Sequence, residues 1–384
     1  MKNKKTKVLH CLNSMNVGGI ESWLNQLVEI KEENIQFDFF LSIKDGFYDQ
    51  QLKASGCNIY KSPPIRHFYT FKRELKKLLI ENQYDVLHVH GSEFLGDLMK
   101  VAQSAGVKVR ISHCHNTVLA RGKTGFLMTL RKLRRKFFER YLILKYSTDI
   151  LACGQDAGKF LLGKSWNKSK KTRVIYCGVN TDKFEKLSTK KDKKRLLIEK
   201  YQIPDGALVI GHVGSMGSTN QKNHPFMIEV MEKVVELNPK AVLFLAGDGP
   251  QKQSIMNQVE ESNLSEHVIM PGIVKDIPEV MSYLFDVNFL PSLWEGLPVA
   301  GLEAAASGLI TVCSENVTSE FTHALKDRVK VLSLDNNKNV WAKVLLEQSN
   351  QKLQAFDACK ILNSEGFSLN SSLAELKKIY MKGK

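Results

Sequence analysis

Two kinds of apolar stretch alternate along this chain as far as Val179. Short continuous runs, "KVLHCLNSM", "IQFDFFLSI", "YDVLHVHG", "VKVRISHCHN", "DILACG" and "KTRVIYCGV", read as buried strands. Between them, apolar residues recur at helical spacing in "NVGGIESWLNQLVEI", "FKRELKKLLIENQ", "EFLGDLMKVAQSAG" and a stretch from about Gln155. Strands covered on both faces carry continuous apolar runs rather than an alternating pattern. Their alternation with helices predicts right-handed crossovers and a parallel sheet.

The pattern breaks at about Asn180 to Asp205, "NTDKFEKLSTKKDKKRLLIEKYQIPDG", which is lysine-rich and has no long apolar run. We read it as the connection into a second domain. Alternation then restarts with "ALVIGHVGS", "HPFMIEVMEKVVELN", "AVLFLAGDG", "PQKQSIMNQVEESN", "HVIMPGI", "DIPEVMSYL", "FDVNFLPS" and "LITVCS". At 384 residues the chain is long enough for two domains. The expected fold is therefore α/β: two doubly wound, Rossmann-like domains, residues 1–181 and 182–368. In such sheets ligands bind beyond the carboxyl ends of the strands, and with two domains those ends can face one central cleft.

Charge adds a partner class. The net charge is +15, which suits a nucleic acid, a membrane surface or phosphorylated substrates. The excess is local. From Arg121 to Lys145, "RGKTGFLMTLRKLRRKFFERYLILK", nine Lys and Arg stand against one Glu. Phe126, Leu127, Leu130, Leu133, Phe137 and Phe138 recur there at roughly helical spacing. A basic amphipathic helix on an anionic membrane is one reading; a core-facing helix with a solvated basic face is the other. The segment has no base-stacking pattern and the chain no nucleic-acid-binding module. No apolar run reaches the ~20 residues of a membrane span, and the basic start is too short in apolar residues for a signal peptide. Seven cysteines without ligand spacing read as reduced thiols, which suits a cytoplasmic protein.

Candidate chemistry lies in the strand-to-helix turns. "MNVGGIE", "GHVGSMGS", "AGDGP" and "WEGLP" each carry glycine where a backbone could approach phosphate at a helix start, or where an ordinary turn needs one. None is a GxGxxG with an acid about twenty residues on, and none is a GxxxxGK[ST]. In "LPSLWEGLPVAGLEAAASG", Glu295 precedes the turn and Glu303 follows inside the helix. A helix N-terminus attracts phosphate, and a carboxylate accepts two hydrogen bonds, which suits vicinal hydroxyls. A nucleotide-sugar, with its diphosphate between two polyols, meets both demands. The plainer reading is a capping acid and a solvated helix residue.

These motifs, in this order, resemble the retaining GT-B glycosyltransferases of glycosyltransferase family 4, in the branch that builds exopolysaccharide and capsule. "EGLPVAGLE" matches its Glu-x7-Glu signature, "NVGGIE" its N-terminal glycine turn and "RISHCHN" its His-bearing strand end. "CGVNTDKF" matches the segment entering the linker, "QKNH" the phosphate lysine and "AGDGP" a glycine turn. "DGFYDQQLKASGCNIY" resembles the exopolysaccharide branch, and the likeness runs from about residue 7 to 380. The resemblance implies that Glu303 holds the ribose and Glu295 the donor sugar, with Gly296, Leu297, Pro298 and Val299 along the sugar and diphosphate. It places Lys222, with the turn at Gly249, on the diphosphate, and Gly18 and Gly19 over it. His115 would stand near the donor sugar, and Gly272, Ile273 and Val274 by the base. Glu295, His115 and Lys222 would be the catalytic set. The C-terminal helix, about 369–384, would pack back on the first domain.

The expected reaction moves a hexose or N-acetylhexosamine from a UDP-sugar to a saccharide, in particular a lipid-linked one, in surface polysaccharide synthesis. The enzyme would sit peripherally on the cytoplasmic face of the cell membrane, held by residues 121–145. No Asp-x-Asp appears, so no metal or cofactor is expected; Lys222 and helix N-termini would neutralise the leaving UDP. One departure stands out. The family usually carries Gly-Arg before its lysine, whereas "HVGSMGSTNQKNH" puts Ser215 there in a loop about two residues longer. Arg66 and Arg110 are candidate replacement cations, and Asn220 and Asn223 are neutral partial substitutes. Ser215 also opens a second reading, a GT-B-fold partner or chaperone subunit without activity.

Overall fold

The computed structural model describes residues 5–43, 45–65, 67–91, 93–116, 137–187 and 193–383. Most of the basic segment 121–145, and Arg66, lie outside them. The described residues form two sheets, and every strand pair in them is parallel.

The first sheet has seven strands: β1 Thr6–Leu12, β2 Ile35–Leu41, β3 Ile59–Lys61, β4 Val86–His90, β5 Val109–Cys114, β6 Asp149–Ala152 and β7 Thr172–Val174. Their order is β3-β2-β1-β4-β5-β6-β7, so the direction of winding reverses between β1 and β4. Strand residues such as Val8, Leu9, Phe39, Val86, Leu87, Ile111 and Leu151 are wholly buried, as the continuous apolar runs require. Histidines interrupt that apolar pattern on three neighbouring strands: His10 on β1, His88 and His90 on β4, and His113 on β5.

The second sheet has six strands: β8 Leu208–Val213, β9 Ala241–Ala246, β10 Val268–Gly272, β11 Val287–Leu290, β12 Thr311–Ser314 and β13 Val329–Leu332. Their order is β10-β9-β8-β11-β12-β13. Phe289, Trp341, Met227 and Leu243 fill one core cluster, and Phe244, Phe285 and Met281 another.

The chain divides into a unit of Met1–Cys177 with Leu369–Lys384 and a unit of Gly178–Ser368. The division falls ahead of the expected 181/182 boundary. Outgoing and returning strands of chain bridge each other at Val179 and Ser368, and Thr181 Oγ1 donates to Asn363 Oδ1 at 3.2 Å. The lysine-rich stretch is not an extended connection. It holds two helices of the second unit, Thr181–Leu187 and Lys193–Tyr201, which bury Phe184, Leu187 and Leu197 despite their charge. The final helix, Leu369–Tyr380, belongs to the first unit. Tyr380 is fully buried there, and Lys377 pairs with Glu32 at 2.8 Å.

Residues 137–146 are helical. Leu142 and Ile143 face inward, whereas Phe137, Phe138 and Tyr141 are 68%, 59% and 54% exposed. Phe137 and Phe138 therefore do not lie on a core-facing stripe. No helix among the described residues is long and apolar enough to cross a membrane.

Candidate donor-binding site

The second sheet reverses its winding between β8 and β11, which pair directly at Ile210 and Val287. Crossovers leave in opposite directions from two such strands, and the gap at their carboxyl ends is where open α/β sheets take ligands. Lys222 comes from the loop after β8 and Glu295 from the loop after β11. Their ion pair spans the switch point, Nζ to Oε1 2.5 Å, with both side chains largely buried.

Glu295 is held from several sides. Ser292 Oγ donates to Oε1 at 2.9 Å, Gln221 Nε2 donates to Oε2 at 3.5 Å, and the Glu295 amide donates to Asn316 O at 3.2 Å. Behind it, Ser314 Oγ on β12 donates to Ser292 O at 2.5 Å. Asn223 has left-handed φ, +62°, and its amide donates to Pro291 O at 3.1 Å, tying the lysine loop to the end of β11. Asn223 thus acts as a structural clamp.

The helix Val299–Ala306 starts at Pro298 with no side-chain cap. Its first N–H groups are left to face an anion. Glu303 lies one turn in, and its carboxylate accepts no hydrogen bond from any described residue. Burial pushes this carboxyl up to about 7, with the Lys183 ammonium pulling the other way. The residue itself is half-buried.

The glycine turns after β8, β9 and β10 interlock. Gly247 N donates to Gly272 O and Gly214 N to Ala246 O, both at 3.0 Å. At Gly247, with φ +156°, a Cβ would stand 1.9 Å from Gly214 O; at Gly249, with φ +154°, it would stand 2.4 Å from Met216 O. Both positions demand glycine on backbone angle and on space. Gly214 in turn lies against the Lys222 stem. Ser215 is exposed on this framework, where Met216 N bonds Asp248 O at 3.0 Å. Gly272 leads to Ile273, which is 44% exposed, and then to Val274. The structure thus gathers Lys222, Ser215, Gly249, Gly272 and the segment from Glu295 to Glu303 at one end of one sheet.

Arg110 does not serve as a replacement cation. Its guanidinium donates to the carbonyls of Tyr146, Val107 and Lys108 at 2.7, 2.8 and 3.2 Å, which occupies it as a backbone clamp.

In the first unit, Gly18 caps the helix Gly19–Glu29 with extended backbone. The acid Glu21 sits in its first turn with its carboxylate packed against Gly18. His115 follows β5 and is buried. Its Nε2 faces His90 Nδ1 at 3.0 Å, and its Nδ1 faces Cys177 Sγ at 3.5 Å. It is one of five buried histidines of this unit, with His10, His88, His90 and His113. Burial pushes His10 and His115 down to about 3 and the other three well below the usual imidazole range, neighbouring imidazoles adding to the shift.

Sequence reasoning missed Ser292, Gln221 and Ser314, because nothing in their spacing marks a contact with Glu295. The histidine cluster did have a signal: "HVH" and "HCH" put pairs at the two-residue period that shares a sheet face.

The switch point of the second sheet thus carries a cation, two carboxylates and an uncapped helix start. Comparisons with known proteins identify the family. The model of "Glycosyltransferase Family 4" matches residues 17–183, and that of "Glycosyl transferases group 1" matches residues 193–355. A putative glycosyltransferase, EpsF, of Bacillus subtilis is 33% identical over 90% of this chain and 88% of its own. The Escherichia coli UDP-Gal:alpha-D-GlcNAc-diphosphoundecaprenol alpha-1,3-galactosyltransferase is 25% identical over 99% and 97%. The Staphylococcus aureus capsular polysaccharide biosynthesis glycosyltransferase CapH is 26% identical over 98% of each chain. Among solved structures, Anabaena HepE in complex with UDP-glucose superposes with a TM-score of 0.77 at 16% identity, over 98% of this chain and 99% of that one. The chain belongs to glycosyltransferase family 4, with the GT-B fold, and is a glycosyltransferase of polysaccharide biosynthesis.

Proposed function

We propose that this enzyme transfers a hexose or N-acetylhexosamine, with retention of configuration, from a UDP-sugar to a lipid-linked saccharide. The observation that carries the reading is the Lys222–Glu295 pair at the switch point, followed in the next helix by Glu303. Glu303 takes the ribose diol, Glu295 the donor hydroxyls, and Lys222 with the helix N–H groups the diphosphate. Glu295 Oε1 is already engaged by Lys222 and Ser292, which leaves Oε2, with its one long contact to Gln221, to accept from a sugar. The Escherichia coli relative, named for a UDP-Gal donor and a GlcNAc-diphosphoundecaprenol acceptor, supports both a UDP-sugar donor and a diphospholipid acceptor.

The leaving diphosphate is neutralised by Lys222 and backbone donors rather than by a metal ion. Peripheral attachment to the inner face of the membrane is supported by the basic segment 121–145, within which Phe137, Phe138 and Tyr141 are exposed.

The test is calorimetry with UDP-glucose and UDP-N-acetylglucosamine, beside UDP-release assays in excess EDTA. Glu303→Ala should abolish nucleotide binding. Glu295→Ala should keep UDP binding and lose transfer. Undisturbed UDP binding in Glu303→Ala refutes the ribose role, and a rate that returns only with added Mg2+ refutes the metal-free mechanism.

A further inference from the structure

The histidines of the first unit hold more polar capacity than the donor reading uses. β1, β4 and β5 are adjacent and parallel, with His10 opposite His88 and His90 opposite His113. Residues two apart on a strand share a face, so the five rings gather on one side of the sheet. Hydrogen bonds then sort them into an inner and an outer set. His90 Nε2 meets His10 Nδ1 at 2.9 Å, His113 Nδ1 meets His88 Nε2 at 3.0 Å, and His115 Nδ1 meets Cys177 Sγ at 3.5 Å. Each of His90, His113 and His115 therefore has one ring nitrogen oriented by a neighbour.

The nitrogens left over face an unusual situation. Among the described residues, His113 Nε2 is buried with no hydrogen-bond partner, and His90 Nδ1 and His115 Nε2 meet only each other, at 3.0 Å. One nitrogen from each of the three rings lies within 4.8 Å of the others. Two imidazoles on a tetrahedral zinc at ~2.0–2.1 Å stand about 3.3 Å apart, so the pair needs to open by only a few tenths of an ångström.

We propose that His90, His113 and His115 form a three-imidazole site for a divalent transition-metal ion of the zinc class, with one coordination position left open. Three features support it. Imidazole sets suit zinc, copper and nickel rather than magnesium or calcium. Metal-bound histidines characteristically have their second nitrogen held by a partner, here His10, His88 and Cys177. A metal between His90 and His115 would replace a single hydrogen bond, the one between their rings. Access runs from the carboxyl ends of β4 and β5, where His90 and His115 keep 8% and 9% exposure while His113 has none. Glu21, close enough to push the Cys177 thiol further up, is an acid of the same unit that can offset the charge. All three histidines belong to the first unit, and the proposal does not rest on the donor reading.

The test uses the full chain, freed of metal, with Zn2+ in competition against a chromophoric chelator and with Co2+ as a spectroscopic probe. We expect one equivalent of Zn2+ per chain. His113→Ala and His90→Ala should each weaken it roughly a hundredfold, while His267→Ala, a histidine of the other unit, changes nothing. Co2+ should give the intense visible bands of a four-coordinate ion. If the alanine variants do not fold, the parent's Co2+ spectrum decides: weak, six-coordinate absorption overturns the site. Absence of a retained equivalent overturns it too, as does equal Zn2+ binding by folded His113→Ala and His90→Ala.

Discussion

The protonation of Glu303 should set the pH dependence of donor binding. Its carboxyl stands at about 7 against an ordinary 4.5, because burial disfavours the charge more than Lys183 restores it. The ionised form offers both oxygens to a ribose diol as acceptors, whereas protonation turns one of them into a donor. With a midpoint near 7, about nine-tenths of the carboxyl is ionised at pH 8 and about one-tenth at pH 6, so affinity should fall about tenfold across that interval, or ~1.4 kcal/mol. Other groups of the site do not blur the signal. Burial holds His212 well below the usual range and His224 at about 4. The assay is calorimetric titration of UDP-glucose at pH 6, 7 and 8. A diphosphate diester is preferable to UDP, whose terminal phosphate titrates near ~6. Glu303→Gln should bind weakly and with no slope. The same group acts on stability with opposite sign. The folded state holds this proton more tightly than the unfolded chain, so its contribution is most favourable below about 4.5 and is lost as pH rises through about 7. Flat affinity from pH 6 to 8 in the parent, or an equal slope in Glu303→Gln, would refute the reasoning.

Three further outcomes follow. Gly247→Ala forces a Cβ into the Gly214 carbonyl at an unfavourable φ; it should cost about 3 kcal/mol or more in chemical denaturation, and a loss below ~1 kcal/mol would contradict the interlocked turns. Ser215→Arg places a cation on the exposed loop beside Lys222 and should tighten UDP-glucose about tenfold, in a salt-sensitive way; unchanged affinity at two salt concentrations would show that position 215 does not face the diphosphate. Replacing Arg131, Lys132, Arg134, Arg135 and Lys136 by Gln should weaken sedimentation with anionic vesicles by about 1 kcal/mol per charge while leaving donor binding intact; identical sedimentation would leave the segment as a solvated face.

Much of this molecule could be read from local pattern. Continuous apolar runs alternating with helical spacing are set by residues near one another in the chain, so two parallel-sheet domains were legible. So was the loop between β11 and its helix, because Glu295, the Gly-Leu-Pro turn and Glu303 all fall within one short stretch. Pattern failed where charge masked burial. The helices at Thr181–Leu187 and Lys193–Tyr201 each carry few apolar residues among lysines, and only their packing against the second unit shows which ones point inward.

What the sequence alone could not decide depends on which strand ends become neighbours. Lys222 and Glu295 lie far apart in the chain and meet because β8 and β11 are adjacent across the reversal of winding. Glu303 reads as any helical glutamate until the surrounding packing raises its proton affinity. Arg110 reads as a spare cation until three carbonyls are found around it. The histidines on β1, β4 and β5 are scattered in the chain and become a cluster only when parallel pairing brings their strands side by side. Periodicity is a short-range property, and it specifies which face of an element is buried. The charge, proton affinity and partners of a buried group are set by what packs against it from distant parts of the chain, which only the tertiary structure supplies.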